Sequence, residues 1–196
     1  HIHGDARSIL TAERASLNFL QLLSGTASVT RRYAEAIEGA SDRACAVLDT
    51  RKTIPGLRQA QKYAVRVGGG QNQRLALWHG ILIKENHIAA AGGIPQVLEN
   101  ARALNAGVEI QIEVERIDQL QQALDAGAIS VLLDNFTLDA MREAVALTAG
   151  RALLEASGGI SFDTLRSIAA TGVDRISIGK LTKDVVATDY SLRILG

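Results

Sequence analysis

The hydrophobic pattern divides the chain into a helical first part and a longer part in which short apolar runs alternate with amphipathic stretches. Residues 5–39 carry apolar side chains at helical spacing, which predicts helices in this region. Ser24-Gly25 interrupts the pattern, and a second amphipathic stretch over 27–38 ends at Gly39. The first part is therefore predicted as a helical segment, residues 1–40, that leads into another architecture.

From residue 44 onward the pattern predicts repeated strand and helix units. Strands are predicted at 44–49, 64–67, 80–84, 108–114, 129–133, 151–156 and 174–178. Helices are predicted at 56–62, 94–105, 117–126, 137–148 and 161–171. Strand starts lie about 20–25 residues apart, so parallel strands with helical crossovers fit better than hairpins. The predicted fold class is therefore α/β.

The strand predicted at 108–114 favours a β/α barrel over a doubly wound sheet, which remains the alternative. Its apolar residues share one face, whereas Glu109, Gln111 and Glu113 share the other. A central strand of a doubly wound sheet is apolar on both faces. A barrel whose interior opens onto a polar site accepts one polar face, so the sequence predicts a parallel barrel.

Composition gives no sign of a strongly charged partner and fits a reducing environment. Lys plus Arg equals Asp plus Glu at 21 each, so charge gives no reason to expect nucleic acid or a membrane surface as partner. The only cysteine, Cys45, lies in an apolar run and is interpreted as a structural thiol in a cytoplasmic protein. Because the chain opens without methionine, it is interpreted as part of a longer protein.

Cationic side chains follow several of the predicted strands. Arg51 and Lys52 come directly after the first strand, Arg74 follows the glycine run Gly68–Gly70, and Lys84 ends a third apolar run. In a parallel barrel these positions lie at the carboxyl-terminal rim, where barrels carry their active sites. Arginine binds carboxylate or phosphate through two donors, and lysine adds a compact charge. The pattern predicts a local anion site.

Two acidic residues end neighbouring strands at the same rim. Glu113 and Asp134 could bind sugar hydroxyls, hold a hydrated Mg²⁺ or stabilise a developing cation. A pair of glycosidase carboxylates is possible in principle, but the surrounding cations favour an anionic substrate.

Glycine-rich loops follow the last two strands. They contain Ser157-Gly158-Gly159 and Gly179, and barrels often bind phosphate through backbone N–H groups in such loops. A phosphate site is therefore predicted there.

These motifs together resemble the quinolinate phosphoribosyltransferase family, also known as carboxylating nicotinate-nucleotide pyrophosphorylases. The resemblance rests on a series of segments in the family's order and spacing: Thr50–Gly56, Gln61–Ala64, Gly68–Arg74, Leu82–His87, Glu113–Glu115, Leu132–Asn135, Glu155–Gly159 and Gly179–Lys183. It implies an incomplete barrel of about seven parallel strands, preceded by helices. It also implies a catalytic barrel at 41–186 and a tail at 187–196 that would return to a separate N-terminal domain.

The same resemblance implies a reaction and a role for each site residue. Quinolinate and 5-phosphoribosyl 1-diphosphate would give nicotinate mononucleotide, pyrophosphate and CO₂, with Mg²⁺ as cofactor. Arg51, Gln73, Arg74 and Lys84 would bind quinolinate, and Lys52 would act at the reacting centre. Glu113 and Asp134 would contact ribose and Mg²⁺, and Ser157, Gly158, Gly159 and Gly179 would bind the 5-phosphate.

Further implications concern assembly and departures from the family. Arg14 matches an arginine that a second subunit donates to the quinolinate site, which implies a homodimer or a higher homo-oligomer. Gln73 stands where many relatives have histidine, and His79 where relatives usually have an acid. Two alternatives stay open: a non-catalytic, molybdate-linked anion-binding relative, and a barrel enzyme that uses Lys84 as a Schiff-base lysine.

Overall fold

The structure, a computed structural model, describes residues 2–193. A helix of 31 residues, α1 (Ala6–Ala36), comes first. The strands are β1 (Ala46–Leu48), β2 (Ile81–Ile83), β3 (Ile110–Val114), β4 (Ser130–Asp134), β5 (Leu153–Ser157) and β6 (Arg175–Ser177). The remaining helices are α2 (Arg58–Val67), α3 (Glu85–Ala91), α4 (Ile94–Ala103), α5 (Ile117–Asp125), α6 (Leu138–Thr148), α7 (Phe162–Ala169) and α8 (Lys180–Lys183).

All six strands form one parallel sheet with the order β1-β6-β5-β4-β3-β2. Consecutive strands from β2 to β6 are neighbours, and the last strand pairs with the first, as in a barrel that is open only between β1 and β2. Inside the sheet, Arg175 of β6 donates to Glu109 beside β3 at 3.1 Å. This contact spans the interior between strands that are not neighbours, so the predicted incomplete parallel barrel is confirmed.

The strand predicted at 64–67 is wrong, because these residues form the last turn of α2. A stretch of four residues is too short for its apolar positions to distinguish a strand from the buried face of a helix. Instead, Gln71 makes a one-residue parallel bridge with Leu48 at the opening of the barrel. The structure thus has six strands plus this bridge among residues 2–193. Two short helices, α3 and α8, were not predicted from the sequence.

The predicted interruption at Ser24-Gly25 is also wrong, because α1 runs through it without a break. Gly25 is required here for packing: a Cβ would lie 2.1 Å from the carbonyl oxygen of Val186. The chain after α8 lies against α1 at this point, where the backbone N–H of Thr188 donates to Gln21 at 3.0 Å. Its predicted return to another domain stays a prediction, and residues 194–196 lie outside the described residues.

Helix α1 also approaches the glycine run that leads to the bridge. A Cβ on Gly68 would lie 2.3 Å from the carbonyl oxygen of Ala27, and one on Gly70 would lie 2.7 Å from Thr30. The glycines therefore serve close backbone approach. This packing places the loop after α2 beneath the open side of the barrel.

The core lies between the sheet and its surrounding helices. It contains Val131 and Leu133 of β4, Leu120 of α5 and Leu165 of α7, all without exposed surface. The opposite faces of the strands point into the polar barrel interior, as predicted for β3. None of the helices between residues 2 and 193 combines the length and hydrophobicity that a membrane span needs.

Candidate active site

A cavity of about 470 Å³ opens at the carboxyl-terminal ends of the strands. It brings together nine of the residues that the sequence singled out: Arg51, Lys52, Gln73, Arg74, Lys84, Glu113, Asp134, Ser157 and Gly158. The cations come from the loops after β1, after α2 and after β2, and the acids come from β3 and β4. Parallel strands explain the convergence, since every strand delivers its last residue to the same rim.

Three of the four cations at this cavity have no acidic partner in the described part of the chain. Among residues 2–193, Arg51, Lys52 and Arg74 make no salt bridge. Burial and the nearby positive charge of Arg51 lower the pKa of Arg74. Within residues 2–193 its guanidinium donates only to the carbonyl oxygen of Gly80, at 3.0 Å. A bound anion would supply the missing negative charge, so these residues favour an anionic ligand.

Lys84 differs from the other cations because it is already paired. Its Nζ donates to both carboxylate oxygens of Glu113, at 2.9 and 2.8 Å. The Glu113 side chain is 11% exposed, whereas that of Lys84 is 45% exposed. A ligand can therefore reach Lys84 while Glu113 still holds it. A Schiff base at Nζ would have to give up these two hydrogen bonds, which argues against that role.

Asp134 lies one strand away from Glu113 and is half-buried at the rim. Its Oδ2 accepts from its neighbour Asn135 at 2.9 Å. Within residues 2–193 no group of three or more His, Cys, Asp or Glu side chains is placed to hold a metal ion. Two carboxylates at an open rim nevertheless fit Mg²⁺, which commonly takes one or two carboxylates, several waters and the phosphates of a substrate.

A second lobe of about 290 Å³ adjoins the cavity and shares Thr50, Lys52, Ser157, Gly158 and Ser177 with it. It is also lined by Gly159, Gly179, Lys180 and Lys183. All four predicted phosphate residues therefore lie in this lobe, together with three lysines. Cationic side chains and glycine backbone suit a phosphate group.

Gly158 is required by its surroundings in this lobe. Its φ of 95° lies in the left-handed region, and a Cβ would lie 2.1 Å from Oδ1 of Asn135. Gly179 has an ordinary φ, but a Cβ there would lie 3.2 Å from Cδ of Lys52. Gly158 thus lets its loop pack closely against Asn135, and Gly179 leaves room for Lys52 in the lobe.

Gln73 lines the main cavity, and its predicted role in binding the ligand stays a prediction. Its Oε1 accepts from the backbone N–H of Arg74 at 2.7 Å, and its Nε2 donates to Gln111 at 2.9 Å. The same Nε2 lies 3.3 Å from the carboxylate of Glu155. Both polar ends of Gln73 are therefore bound to the protein, and the side chain forms part of the cavity floor.

Sequence reasoning missed two groups of buried polar residues. Glu155, only 1% exposed, accepts from Gln111 at 2.9 Å in the barrel interior. Lys62 and Asp49 form a salt bridge with no exposed side-chain surface beneath the cation loops. Because a strand was predicted at 64–67, the position of Lys62 on the buried face of a helix was not recognised. Once 58–67 is a helix, Lys62 lies on the same buried face as Val65, where a lysine needs a partner.

The predicted ligand-binding residue Arg14 and the family departure His79 line neither the main cavity nor its lobe. Arg14 is exposed on the first half of α1 and does not line the cavity. His79 lines a smaller cavity of about 100 Å³ at the opening between β1 and β2, where its Nδ1 accepts from the N–H of Leu75 at 3.2 Å.

Comparison with known proteins agrees with this architecture. The family model described as quinolinate phosphoribosyl transferase, C-terminal domain, matches residues 26–193. A probable nicotinate-nucleotide pyrophosphorylase [carboxylating] of Bacillus subtilis is 44% identical over 98% of this chain and 66% of its own length. The corresponding protein of Mycobacterium leprae is 42% identical, over 97% of this chain and 67% of its own length. The chain thus spans about two thirds of the length of these relatives.

Solved structures show the same similarity in three dimensions. The crystal structure of NadC from Streptococcus pyogenes superposes with a TM-score of 0.91 at 43% identity, covering 97% of this chain and 66% of that one. The nicotinate-nucleotide pyrophosphorylase from Francisella tularensis gives a TM-score of 0.89 at 49% identity, covering 94% and 65%. The barrel, its rim and the matched sequence together establish that this chain belongs to the quinolinate phosphoribosyl transferase family.

Proposed function

We propose that the protein transfers a phosphoribosyl group from 5-phosphoribosyl 1-diphosphate to quinolinate and decarboxylates the product, which gives nicotinate mononucleotide, pyrophosphate and CO₂. One observation carries this proposal: three cations without acidic partners among residues 2–193, Arg51, Lys52 and Arg74, face a cavity that continues into a lobe lined by glycine and lysine. The names of the relatives support the same reaction.

The cations would bind the two carboxylates of quinolinate. Arg51 and Arg74 would donate to them as planar guanidinium groups, and Lys84 would add charge from the side of Glu113. Without these cations, a dianion would be repelled by the highly charged diphosphate donor. The cluster would therefore act mainly by positioning and neutralising the substrates.

Glu113 and Asp134 would act on the ribose of the donor. As the bond between ribose C1 and the diphosphate breaks, C1 gains positive character, and Glu113 and Asp134 have the charge to stabilise it. The pyridine nitrogen then forms the new bond to C1, and pyrophosphate leaves with the electron pair. The positive ring nitrogen accepts charge when the neighbouring carboxylate leaves as CO₂, after which the ring carbon takes up a proton.

The glycine and lysine lobe would hold the phosphate at the other end of the donor. Ser157, Gly158, Gly159 and Gly179 surround this space, and Lys52 borders both lobe and cavity. That shared position suits Lys52 to contact both substrates near the reacting centre.

Mg²⁺ would complete the donor site. Asp134 and Glu113 would hold it together with substrate oxygens, and the bound ion would neutralise charge on the diphosphate. Because Glu113 is already bound by Lys84, Asp134 is the more available of the two carboxylates.

A homodimer would bring Arg14 to the site. Arg14 is exposed and lies outside the cavity of its own chain, which leaves it available to a neighbouring subunit. The alternative of a non-catalytic, molybdate-linked relative is less favoured, because an oxyanion carrier has no need of Glu113 and Asp134 beside the cations.

The direct test is to incubate the protein with quinolinate, 5-phosphoribosyl 1-diphosphate and Mg²⁺ and to measure nicotinate mononucleotide and CO₂. We expect both products in equal amounts, and loss of both when Mg²⁺ is chelated. Calorimetry with molybdate serves as the comparison: binding of molybdate without turnover of quinolinate would contradict the proposal.

A further inference from the structure

We propose that the buried Asp49–Lys62 pair is a positioning unit that sets the cation loops of Arg51-Lys52 and of Arg74 relative to each other. This proposal rests on the proposed function, because it assigns the pair a role in binding quinolinate. Neither residue lines the main cavity or its phosphate lobe, so the pair would act through its neighbours.

Removing two charged side chains from water costs folding free energy. Both side chains are 0% exposed. Burial raises the pKa of Asp49 and lowers the pKa of Lys62, while their mutual hydrogen bond and attraction act in the opposite direction. Apolar side chains of similar volume often stabilise a fold as well as a buried ion pair does. Stability alone therefore gives a poor reason for this pair at this place.

The contacts of the pair converge on the residue before Arg74. Asp49 accepts from the backbone N–H of Gln73 at 2.9 Å, and Lys62 donates to the carbonyl oxygen of Gln73 at 2.8 Å. Both backbone polar groups of Gln73 are thus held by the two members of one ion pair. The N–H of Arg74 then bonds to the Gln73 side chain at 2.7 Å, so the direction in which Arg74 leaves the loop is fixed.

Asn72 strengthens the same connection. Its Nδ2 donates to Asp49 at 2.6 Å and to the carbonyl oxygen of Lys62 at 2.9 Å. The loop 72–74 is therefore bound to β1 through Asp49 and to α2 through Lys62.

The same turn of α2 holds the other cation loop. Gln61, next to Lys62, accepts from the N–H of Ile54 at 2.8 Å and donates to the carbonyl oxygen of Thr182 at 2.8 Å. Thr182 in turn donates to the carbonyl oxygen of Lys52 at 2.7 Å. Asp49 itself lies two residues before Arg51. One helical turn thus fixes both loops, which is what two cations need to meet one dicarboxylate.

The test is a double substitution, Asp49→Asn with Lys62→Met, compared with each single change. A single change leaves one buried charge without its partner, and we expect clear destabilisation in urea. The double change removes both charges, and we expect its urea midpoint to return toward that of the unchanged protein. The amide introduced by Asp49→Asn can still accept from the N–H of Gln73, but the carbonyl of Gln73 loses its donor.

Binding should not recover with stability. In the double variant we expect quinolinate affinity and kcat/KM to fall by roughly 10- to 100-fold, because a misplacement of about 1 Å can cost about two orders of magnitude. The KM for the ribosyl donor should change less than the KM for quinolinate. Hydrogen exchange at the N–H groups of Gln73 and Arg74 should become faster. Thr171→Val, which removes a buried local hydrogen bond elsewhere, is the matched control. It should change neither quinolinate affinity, nor the kinetic constants, nor hydrogen exchange at Gln73 and Arg74.

A folded double variant with unchanged quinolinate affinity and unchanged exchange at Gln73 would overturn the proposal. If the double variant does not fold, Asn72→Ala keeps both charges paired and removes the two connecting hydrogen bonds, together with the one that Arg66 donates to Asn72 at 2.8 Å. It should show the same effects at smaller size, and normal quinolinate affinity in that variant would also contradict the positioning role. If the unchanged protein fails to turn over quinolinate, the proposed function is wrong. Hydrogen exchange at the backbone N–H of Gln73 would still test whether the Asp49–Lys62 pair positions the loop that carries Arg74.

Discussion

The two ends of the barrel both carry cationic side chains but use them differently. At the amino-terminal end, Arg43 pairs with Asp174 at 2.9 Å and Arg175 with Glu109 at 3.1 Å. At the carboxyl-terminal rim, Arg51, Lys52 and Arg74 make no salt bridge within residues 2–193. The charges of Arg43 and Arg175 are balanced by the protein, whereas those of Arg51, Lys52 and Arg74 are left for a ligand to balance.

This difference separates structural charges from functional ones. Asp174 also accepts from the N–H of Leu154 at 2.8 Å, so it ties the start of β6 to β5 as well as to Arg43. Lys84 at the rim is intermediate, since it is paired with Glu113 and yet almost half of its side chain remains accessible. We therefore expect opposite consequences for mutations at the two ends.

The largest expected effect is at the rim. Arg74→Ala should lower kcat/KM for quinolinate by about 10²- to 10³-fold, because removing one partner of a desolvated charge pair costs about 2–5 kcal/mol. The urea midpoint should change little, since Arg74 has no acidic partner within residues 2–193 to leave behind. Steady-state kinetics and urea unfolding measure the two quantities.

Arg43→Ala at the opposite end is the matched control for Arg74→Ala. It should leave kcat/KM within about threefold and cost at most about 1 kcal/mol of stability, as for a partly exposed ion pair. If Arg43→Ala lowered turnover as much as Arg74→Ala does, the contrast between the two ends would be wrong.

The next effect concerns the phosphate lobe. Gly158→Ala forces a Cβ against Asn135 at 2.1 Å in a left-handed backbone, and we expect the KM for the ribosyl donor to rise by about tenfold or more, with about 1–3 kcal/mol of destabilisation. Gly159→Ala has a positive φ but no atom within 4 Å of the new Cβ, and it should cost only about 1 kcal/mol. Equal effects of the two changes would refute the steric explanation.

A smaller effect is expected at the amino-terminal end, and it should be confined to stability. Asp174→Ala leaves the N–H of Leu154 and the guanidinium of Arg43 without their acceptor, which should cost about 1–3 kcal/mol. Substrate KM values should stay unchanged in the folded variant. A shifted KM for quinolinate without lost stability would show that this end contributes to the site.

The smallest effect concerns Cys45, also at the amino-terminal end. Burial raises the pKa of the Cys45 thiol to about 12 from an ordinary value of 9.0, so the folded state retains the proton longer than the unfolded state. Its contribution to stability is therefore intact below about pH 9 and declines as pH rises toward about 12. Urea unfolding from about pH 8 to 10 should show a steeper decline for the unchanged protein than for Cys45→Ala. Parallel curves would contradict this assignment.

Sequence reasoning predicted the barrel and the rim well, because both depend on local patterns. Apolar runs predict strands, and the residue after each run reaches the same rim. The strand predicted at 64–67 was wrong because four residues are too few to show whether the apolar positions follow a helix or a strand period. The predicted break at Ser24-Gly25 was wrong because the role of Gly25 depends on Val186, which is far away in the chain.

The buried polar residues could not be predicted from the sequence for a different reason. Asp49, Lys62 and Glu155 are buried polar groups whose partners come from other elements, and no local pattern shows which charges will meet in the interior. The internal hydrogen bonds of Gln73 could not be predicted for the same reason. Its amide is bound by Arg74 and Gln111, so a side chain at the rim turns toward the floor.

The most direct test of the central claim is a crystal structure of the protein with bound quinolinate. We predict that its two carboxylates lie within hydrogen-bonding distance of Arg51 and Arg74, with Lys84 beside them. Quinolinate bound at the rim without contact to either arginine, or bound elsewhere, would contradict the claim that these cations form its site.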